Sequence, residues 1–275
     1  MAEQNIKSMK LYSHMERVHR ELEEMGIDRE SPLGVEDLAA IDQLHYHGHD
    51  AVALSASRLG LTADSRVAEV GSGMGGPARY LAASVGCHVT ALELQPDLNE
   101  LAISLTDRCS LSERVTHLCG DVLDDHLSAG AFDAVVSWLA LYHIGDHDAL
   151  FAQIGGALRP GGGLYVEDLG RRGDFTPEEQ DLMRGKLFGN CTPSAAEYEA
   201  DLGRAGFTDI KLEDVSDDWT EFTTARLAAY RNQRSRHVRV HDEETVDDMD
   251  EFYGTVVRLF QGGNMAGFRI TARKA

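Results

Sequence analysis

Val67-Ala68-Glu69-Val70-Gly71-Ser72-Gly73-Met74-Gly75-Gly76 is the stretch that decides the fold. An apolar run leads straight into a glycine turn, an arrangement that brings main-chain N–H groups against a ligand. Glycines at 71, 73 and 76 fit G-x-G-x-x-G. The next apolar run, Val89-Thr90-Ala91-Leu92, ends at Glu93, where a carboxylate can take two ribose hydroxyls. A nucleotide-like cofactor follows from this pattern; its identity does not.

Working outward, the chain alternates strand and helix. Apolar runs predict strands at 66–70, 87–93, 114–119, 132–137 and 163–168, with helices near 76–85, 97–109 and 146–158. That order predicts a doubly wound, Rossmann-like α/β sheet. Leu158-Arg159-Pro160-Gly161-Gly162-Gly163 reads as a helix end and turn before the fifth strand. Beyond Asp168 the alternation loosens: helices at 176–188 and 194–205, a strand at 207–213, a long helical segment from Ala225 to Phe260, and Phe268–Arg273 alternating like an edge strand. Seven strands result, with helix-rich insertions at 170–195 and 220–262 as a candidate substrate cap on a domain spanning 61–275.

Residues 1–60 read as a helical segment covering the site. One amphipathic helix is expected from Ile6 to Met25, with Leu11, Met15, Val18 and Leu22 on one face, packing on the cap or on a second subunit of a homodimer. Further helical stretches surround Val35–Ile41 and Asp50–Leu59.

The 275 residues carry 26 basic and 46 acidic side chains, a net charge of −20, which repels phosphate backbones and argues against a nucleic-acid partner. Only five of the bases are lysine, a bias shared by salt-adapted proteins and GC-rich genomes. The four cysteines show no zinc-like spacing and fit reduced thiols in the cytoplasm. The polar opening Ala2-Glu3-Gln4-Asn5 and the lack of a long apolar run disfavour secretion and a membrane partner.

The glycine turn fits a dinucleotide or S-adenosylmethionine (SAM). Gly120-Asp121-Val122, after the third strand, favours SAM, because a carboxylate there can accept from an adenine amine while a main-chain N–H bonds a ring nitrogen. Phe132-Asp133-Ala134-Val135-Val136-Ser137-Trp138 then ends in bulky groups where a cofactor's reactive end would project.

Taken in order, Glu69-Val70-Gly71-Ser72-Gly73-Met74-Gly75-Gly76, Glu93, Gly120-Asp121, Phe132-Asp133 and Leu158-Arg159-Pro160-Gly161-Gly162 resemble the class I SAM-dependent methyltransferases over about residues 60–170. Gly75-Gly76-Pro77-Ala78-Arg79-Tyr80-Leu81 is similar to the small-molecule N-methyltransferases acting on sarcosine and dimethylglycine, with phosphoethanolamine methyltransferases more distant. The resemblance implies methyl transfer from SAM to a small-molecule acceptor, giving S-adenosylhomocysteine. Nitrogen of an amino acid or biogenic amine is the expected acceptor, with oxygen, sulfur or carbon as the alternative. A nicotinamide-dependent oxidoreductase and a non-catalytic SAM-binding protein are the rivals outside the class.

The same resemblance puts Gly71 and Gly73 against the methionine part of SAM, Glu93 on the ribose, Asp121 and Val122 on the adenine, Leu94 on its face and Trp138 beside it. Glu69 and Arg79, inside the matched motifs, join the cofactor set. Leu94 and Trp138 fit plain core equally well.

For chemistry, His143 in Leu141-Tyr142-His143-Ile144 follows the fourth strand at its ligand-facing end and can orient an acceptor or take its proton; a histidine bonded within its loop is the plainer reading. Tyr142 either walls the pocket or packs beneath it. Asp42-Gln43-Leu44-His45-Tyr46-His47-Gly48-His49 places three histidines at alternate positions without acidic or cysteine partners at ligand spacing, so no metal is expected. Folded over the pocket, this segment would bring Gln43 and His45 to the methionine end or acceptor and Tyr46 to close the cavity. Glu167, ending the fifth strand with Asp168, is a candidate for an ammonium group. Arg231, within the cluster Arg226, Arg231, Arg234, Arg236 and Arg239, is a candidate for a carboxylate, unless the cluster only balances surface acid.

Overall fold

The computed structural model describes residues 9–124 and 126–275, without the side chains of Lys10 and Leu11. Ala2–Asn5, the start of the helix expected from Ile6, and the packing of Leu11 lie outside the described residues. The chain runs α1 (Lys10–Ser13), α2 (Glu16–Glu24), α3 (Val35–Leu38), α4 (Gly48–Leu59), β1 (Arg66–Val70), α5 (Gly76–Ser84), β2 (His88–Glu93), α6 (Pro96–Arg108) and β3 (Val115–Cys119). After these come β4 (Phe132–Trp138), a single 3-10 turn (Leu141–His143), α7 (His147–Ala157), β5 (Leu158–Arg171), α8 (Pro177–Lys186) and α9 (Ala195–Arg204). The last part is β6 (Phe207–Asp214), α10 (Ser216–Asn232), α11 (Arg234–Val240), α12 (Glu243–Gly262) and β7 (Met265–Lys274).

The seven strands form one sheet in the order β3-β2-β1-β4-β5-β7-β6, with the first five neighbours parallel. This is the doubly wound fold the sequence predicts. Strand order reverses between β1 and β4, and ligands collect above the carboxyl ends of the strands at such a switch point. Alternation within the strands feeds both faces: Ala68, Val70 and Val135 pack toward α7 and α9, while Val67, Ala134 and Val136 pack toward α4 and α5.

Helix ends follow local chemistry. Pro77 and Pro96 open α5 and α6, where a missing N–H costs nothing. The Asp146 side chain accepts from Ala149 N at 2.9 Å to start α7, and Thr176 with Glu179 and Ser194 with Glu197 form capping boxes on α8 and α9.

Four expectations are corrected. Phe268–Arg273 is no edge strand: β7 runs antiparallel between β5 and β6, and β6 is the edge. Its alternation reports faces, not flanks: Phe268, Ile270 and Ala272 are buried while Arg269, Thr271 and Arg273 lie on a more open face, and both are compatible with strands on either side. The N-terminal helix breaks at His14, where the backbone leaves helical geometry (φ −113°, ψ 58°), giving α1 and α2. The segment 225–260 is three helices, interrupted at Gln233 and at His241–Asp242, where Asp242 caps α12 through Thr245 N at 2.8 Å. The turn 158–163 is absorbed into β5 as an irregularity in its pairing with β4.

The apolar face of α2 is satisfied within the chain: Val18 and Leu22 pack with Leu38, Leu98 and Leu105. Glu21 and Glu24 of α2 bind Arg236 and Arg239 of α11. Among the described residues, no helix is long and apolar enough to cross a membrane.

Candidate active site

A cavity of about 270 Å3 opens above the switch point. Its sheet end is built by the loops after β1, β2 and β3: Gly71 to Met74, Glu93 to Gln95, and Gly120 to Leu123. Its other end reaches the turn after β4 and the cap, through Tyr142, His143, Leu187, Phe188, Arg226 and Phe252. Leu44, His45 and Tyr46 from the N-terminal segment line it as well.

The glycines have distinct reasons. Gly71 holds φ +72°, and a Cβ there would overlap Ala140, so the loops after β1 and β4 can touch. At Gly76 a Cβ would collide with Asp42 and Gln43, which sit on the start of α5.

Glu93 is buried, and its two oxygens accept from Gly73 N at 2.8 Å and Gln95 N at 2.9 Å. Each oxygen keeps a lone pair for a ligand hydroxyl. Burial raises its pKa despite those bonds. Glu69 is buried more deeply, its pKa pushed up to about 8 by desolvation against the opposing pull of Arg79. Asp121 Oδ1 accepts from Leu123 N at 2.9 Å, fixing that loop.

His143 Nδ1 lies 3.0 Å from the carbonyl of Phe188 and Asn190 Nδ2 donates to the His143 carbonyl at 2.7 Å, so the residue is held at both ends. Burial lowers the imidazole pKa to about 4. His45 Nε2 donates to the carbonyl of Gly48 at 3.0 Å; its ring centroid is 5.6 Å from that of Trp138, and burial likewise lowers its pKa to about 4. Tyr142 is buried against the His143 ring, with centroids 3.9 Å apart.

Several polar atoms lining the cavity are buried and have no partner among the described residues: Glu69 Oε2, Ser72 Oγ, Gln95 Oε1, Trp138 Nε1 and His143 Nε2. Unpaired buried polar groups are costly, so such a set fits a polar ligand that completes it.

Of the residues expected from sequence, the cavity gathers Glu69, Gly71, Gly73, Glu93, Leu94, Asp121, Val122, Trp138, His45, Tyr46, Tyr142 and His143. Leu94 is 50% exposed at the rim, which removes the core alternative for it, whereas Trp138 is buried and still lines the space.

Four do not line it. Arg79 is fully buried behind the glycine turn, donating to Asp42 Oδ2 at 2.8 Å, because its long side chain turns from α5 toward the N-terminal segment. Gln43 donates to Asp42 Oδ1 at 2.8 Å over the same helix end. Glu167 stands in register with Arg269 of β7 and accepts from it at 2.7 Å and from Tyr165 at 2.6 Å, so an interior strand takes the carboxylate that an open strand end would have offered. Arg231 forms a two-bond pair with Asp250 at 2.7 and 2.9 Å on the surface between α10 and α12. The alternate histidines also diverge: His45 turns to Gly48, His47 to Asp218 at 2.8 Å, and His49 stacks on Tyr80.

Sequence reasoning missed Tyr12, Asn190, Phe188 and Phe252 as lining residues, and chose Arg231 where Arg226 faces the cavity. One signal was present: Phe222 and Tyr230 flank Arg226 at i−4 and i+4, an aromatic stripe on its own helix face.

Residues 67–162 match a family model described as a methyltransferase domain. The resemblance carried by the ordered motifs holds. The matched stretch runs from β1 to the start of β5. A glycine/sarcosine/dimethylglycine N-methyltransferase of Actinopolyspora halophila is 28% identical over 59% of this chain and 29% of its own length. Phosphoethanolamine N-methyltransferase 1 of Arabidopsis thaliana is 27% identical over 70% of this chain and 38% of its own. The chain thus spans about a third of the length of these curated relatives. Phosphoethanolamine N-methyltransferase 2 of Haemonchus contortus, solved with phosphomonomethylethanolamine and S-adenosylhomocysteine, superposes over all of this chain and 60% of its own, with a TM-score of 0.81 at 19% identity. That likeness establishes the fold.

Proposed function

We propose that the protein transfers a methyl group from SAM to the nitrogen of a small-molecule acceptor. The observation that carries this reading is one continuous cavity joining the glycine turn and Glu93 to the unbonded Nε2 of His143. Relatives named for N-methylation of glycine, sarcosine and phosphoethanolamine support it.

The residues present fit the cofactor. Glu93 would hold the ribose hydroxyls with its free lone pairs, Asp121 and Val122 the adenine edge, and Leu94 the adenine face. Glu69, whose buried Oε2 has no partner, would complete its bonding with the cofactor's ammonium group; a cation beside it favours the ionised form. When bound, SAM supplies an electrophilic methyl group on a sulfonium.

The protein's part is positioning and proton handling. The Nε2 lone pair of His143 accepts a hydrogen bond from the acceptor's N–H and turns the nitrogen lone pair toward the methyl. Because burial keeps the ring neutral down to about pH 4, that acceptor is present at any working pH. His45 and Trp138 wall the reaction zone, and Tyr46 and Tyr142 close it against water. Of the expected cover 1–60, the described residues 9–60 act with 170–195 and 220–262 as cover over the domain at 61–275, and the four free cysteines fit a cytoplasmic location.

The test is methyl transfer from isotopically labelled SAM into a panel of amino acids, amines, thiols, phenols and carboxylates, read by mass spectrometry, with SAM binding measured by calorimetry. A labelled N-methyl product is expected. SAM binding without any product would favour a non-catalytic role, and absence of SAM binding would overturn the reading.

A further inference from the structure

The arginines of α10 and α11 are not equivalent. Arg231, Arg234, Arg236 and Arg239 each pair with an acid: Asp250, Asp247, Glu21 and Glu24. Arg226 has no carboxylate within 4.0 Å among the described residues, although the chain carries a net charge of −20. Its guanidinium instead lies over three rings, 4.6 Å from the centroid of Tyr253, 5.0 Å from Tyr46 and 5.6 Å from Phe222. Its Nε is buried and has no hydrogen-bond partner, and it is the one arginine or lysine among the described residues lining the cavity.

The Tyr46 hydroxyl shares a hydrogen bond with this side chain, while the unpartnered Nε leaves an in-plane donor for a planar or tetrahedral anion. The carboxylates that line the cavity are at the sheet end (Glu69, Glu93 and Asp121) or engaged: Asp42 is bound to Arg79, and Asp146, on the turn after β4, caps α7. An organic cation entering the cap end would find its aromatic faces already holding Arg226 and would meet like charge. Beside Tyr142, His143 and Asn190, that end has an apolar wall made by Leu169, Leu187, Phe188, Phe252 and Val256.

We infer that the methyl acceptor is an amphiphilic organic anion, its carboxylate or phosphate bound at the edge of Arg226 and its apolar body, larger than that of glycine or ethanolamine, resting on Leu187, Phe188, Phe252 and Val256. This deepens the reading above, which makes this cavity the acceptor site. The anionic group anchors and the apolar wall selects, so affinity rises about fourfold for each added methylene until the wall is covered.

The test is calorimetric titration of the full chain, with and without saturating S-adenosylhomocysteine, by acetate, butanoate, hexanoate and octanoate, then by hexyl phosphate and hexylamine. Affinity is expected to climb about fourfold per methylene, and hexylamine to bind at least tenfold more weakly than the tighter of hexanoate and hexyl phosphate, which names the anionic group. In Arg226→Met, hexanoate affinity falls at least tenfold while S-adenosylhomocysteine affinity is unchanged, and Arg226→Lys recovers part of the loss. Acetate binding as tightly as octanoate, hexylamine binding best, or no anion binding under either condition would overturn the inference. The chain-length series and the head-group comparison need no variant, so a misfolded Arg226→Met leaves them decisive. Failure of S-adenosylhomocysteine to bind sinks the methyltransferase reading separately, and the series without it still reads the anion site.

Discussion

The imidazole of His143 points its Nδ1 at the main-chain carbonyl of Phe188, 3.0 Å away. A carbonyl only accepts, so Nδ1 carries the proton and Nε2 keeps the lone pair on the cavity side. A loop between α8 and α9 therefore sets the tautomer of a residue that follows β4. Replacing His143 by Ala removes that acceptor without touching the cofactor end. Turnover is expected to fall by about a hundredfold, with SAM affinity held; full activity in the variant would reduce His143 to a packing role.

Glu93 ties the glycine turn to the next loop, since Gly73 and Gln95 both donate to it. Glu93→Ala should weaken S-adenosylhomocysteine binding by about a hundredfold, from the loss of two charge-assisted bonds to the ribose. Calorimetry on the folded variant reads this directly. Unchanged affinity would remove the ribose contact assigned to Glu93.

Arg79 and Asp42 form an ion pair with both side chains fully buried, at 2.8 Å. Removing one partner strands the other in a dry interior, so Arg79→Met should cost about 3–5 kcal/mol in urea unfolding. A double variant that also changes Asp42 to Asn should recover much of it, because no charge is left behind. A double variant as unstable as the single one would show that shape, not charge, holds the N-terminal segment to α5.

Two buried acids shape the pH dependence of stability. Glu69 and Asp168 both have pKa values raised to about 8 by burial, so from pH 4.5 to 8 the folded state holds protons that the unfolded state has released. Each therefore lowers stability as pH rises through that window. Through pH 4 to 6.5 His45, His117 and His143, each lowered to about 4 by burial, act in the opposite sense, because the unfolded chain binds protons that the folded one refuses. That opposing effect fades as the unfolded histidines lose their protons above pH 6.5, and from pH 7 the carboxyls dominate. Denaturation midpoints of the unliganded protein should thus fall between pH 7 and 8, and Glu69→Gln should flatten the decline. A midpoint that rises over this range would contradict the burial assigned to both acids.

The parallel half of the fold was legible because its strands are continuous apolar runs and its turns are written in glycine and proline. The sheet end of the cavity was legible for the same reason: the loops after β1, β2 and β3 are short and tethered to those strands, so Gly71, Glu93 and Asp121 could be placed along its wall by counting. Glu167 could not, because its position depends on Arg269, which arrives from β7 some hundred residues later and from the opposite direction. Arg226 and Arg231 were indistinguishable by composition. Packing of α10 against α12 turned one to the cavity and the other to Asp250. Short-range chemistry leaves a trace in sequence, while long-range partnership in the cap does not.

The position of β7 bears on how the molecule is made. β6 hydrogen-bonds to β7 and to no other strand, and β7 is formed by Met265–Lys274. During synthesis, the five parallel strands can assemble while β6 and the helices that follow it wait without a sheet to join. An elongating chain arrested before residue 265 would expose the edge of β5 to other proteins, and a ribosome-bound nascent chain would acquire protease resistance over 207–274 only once its last strand had left the exit tunnel.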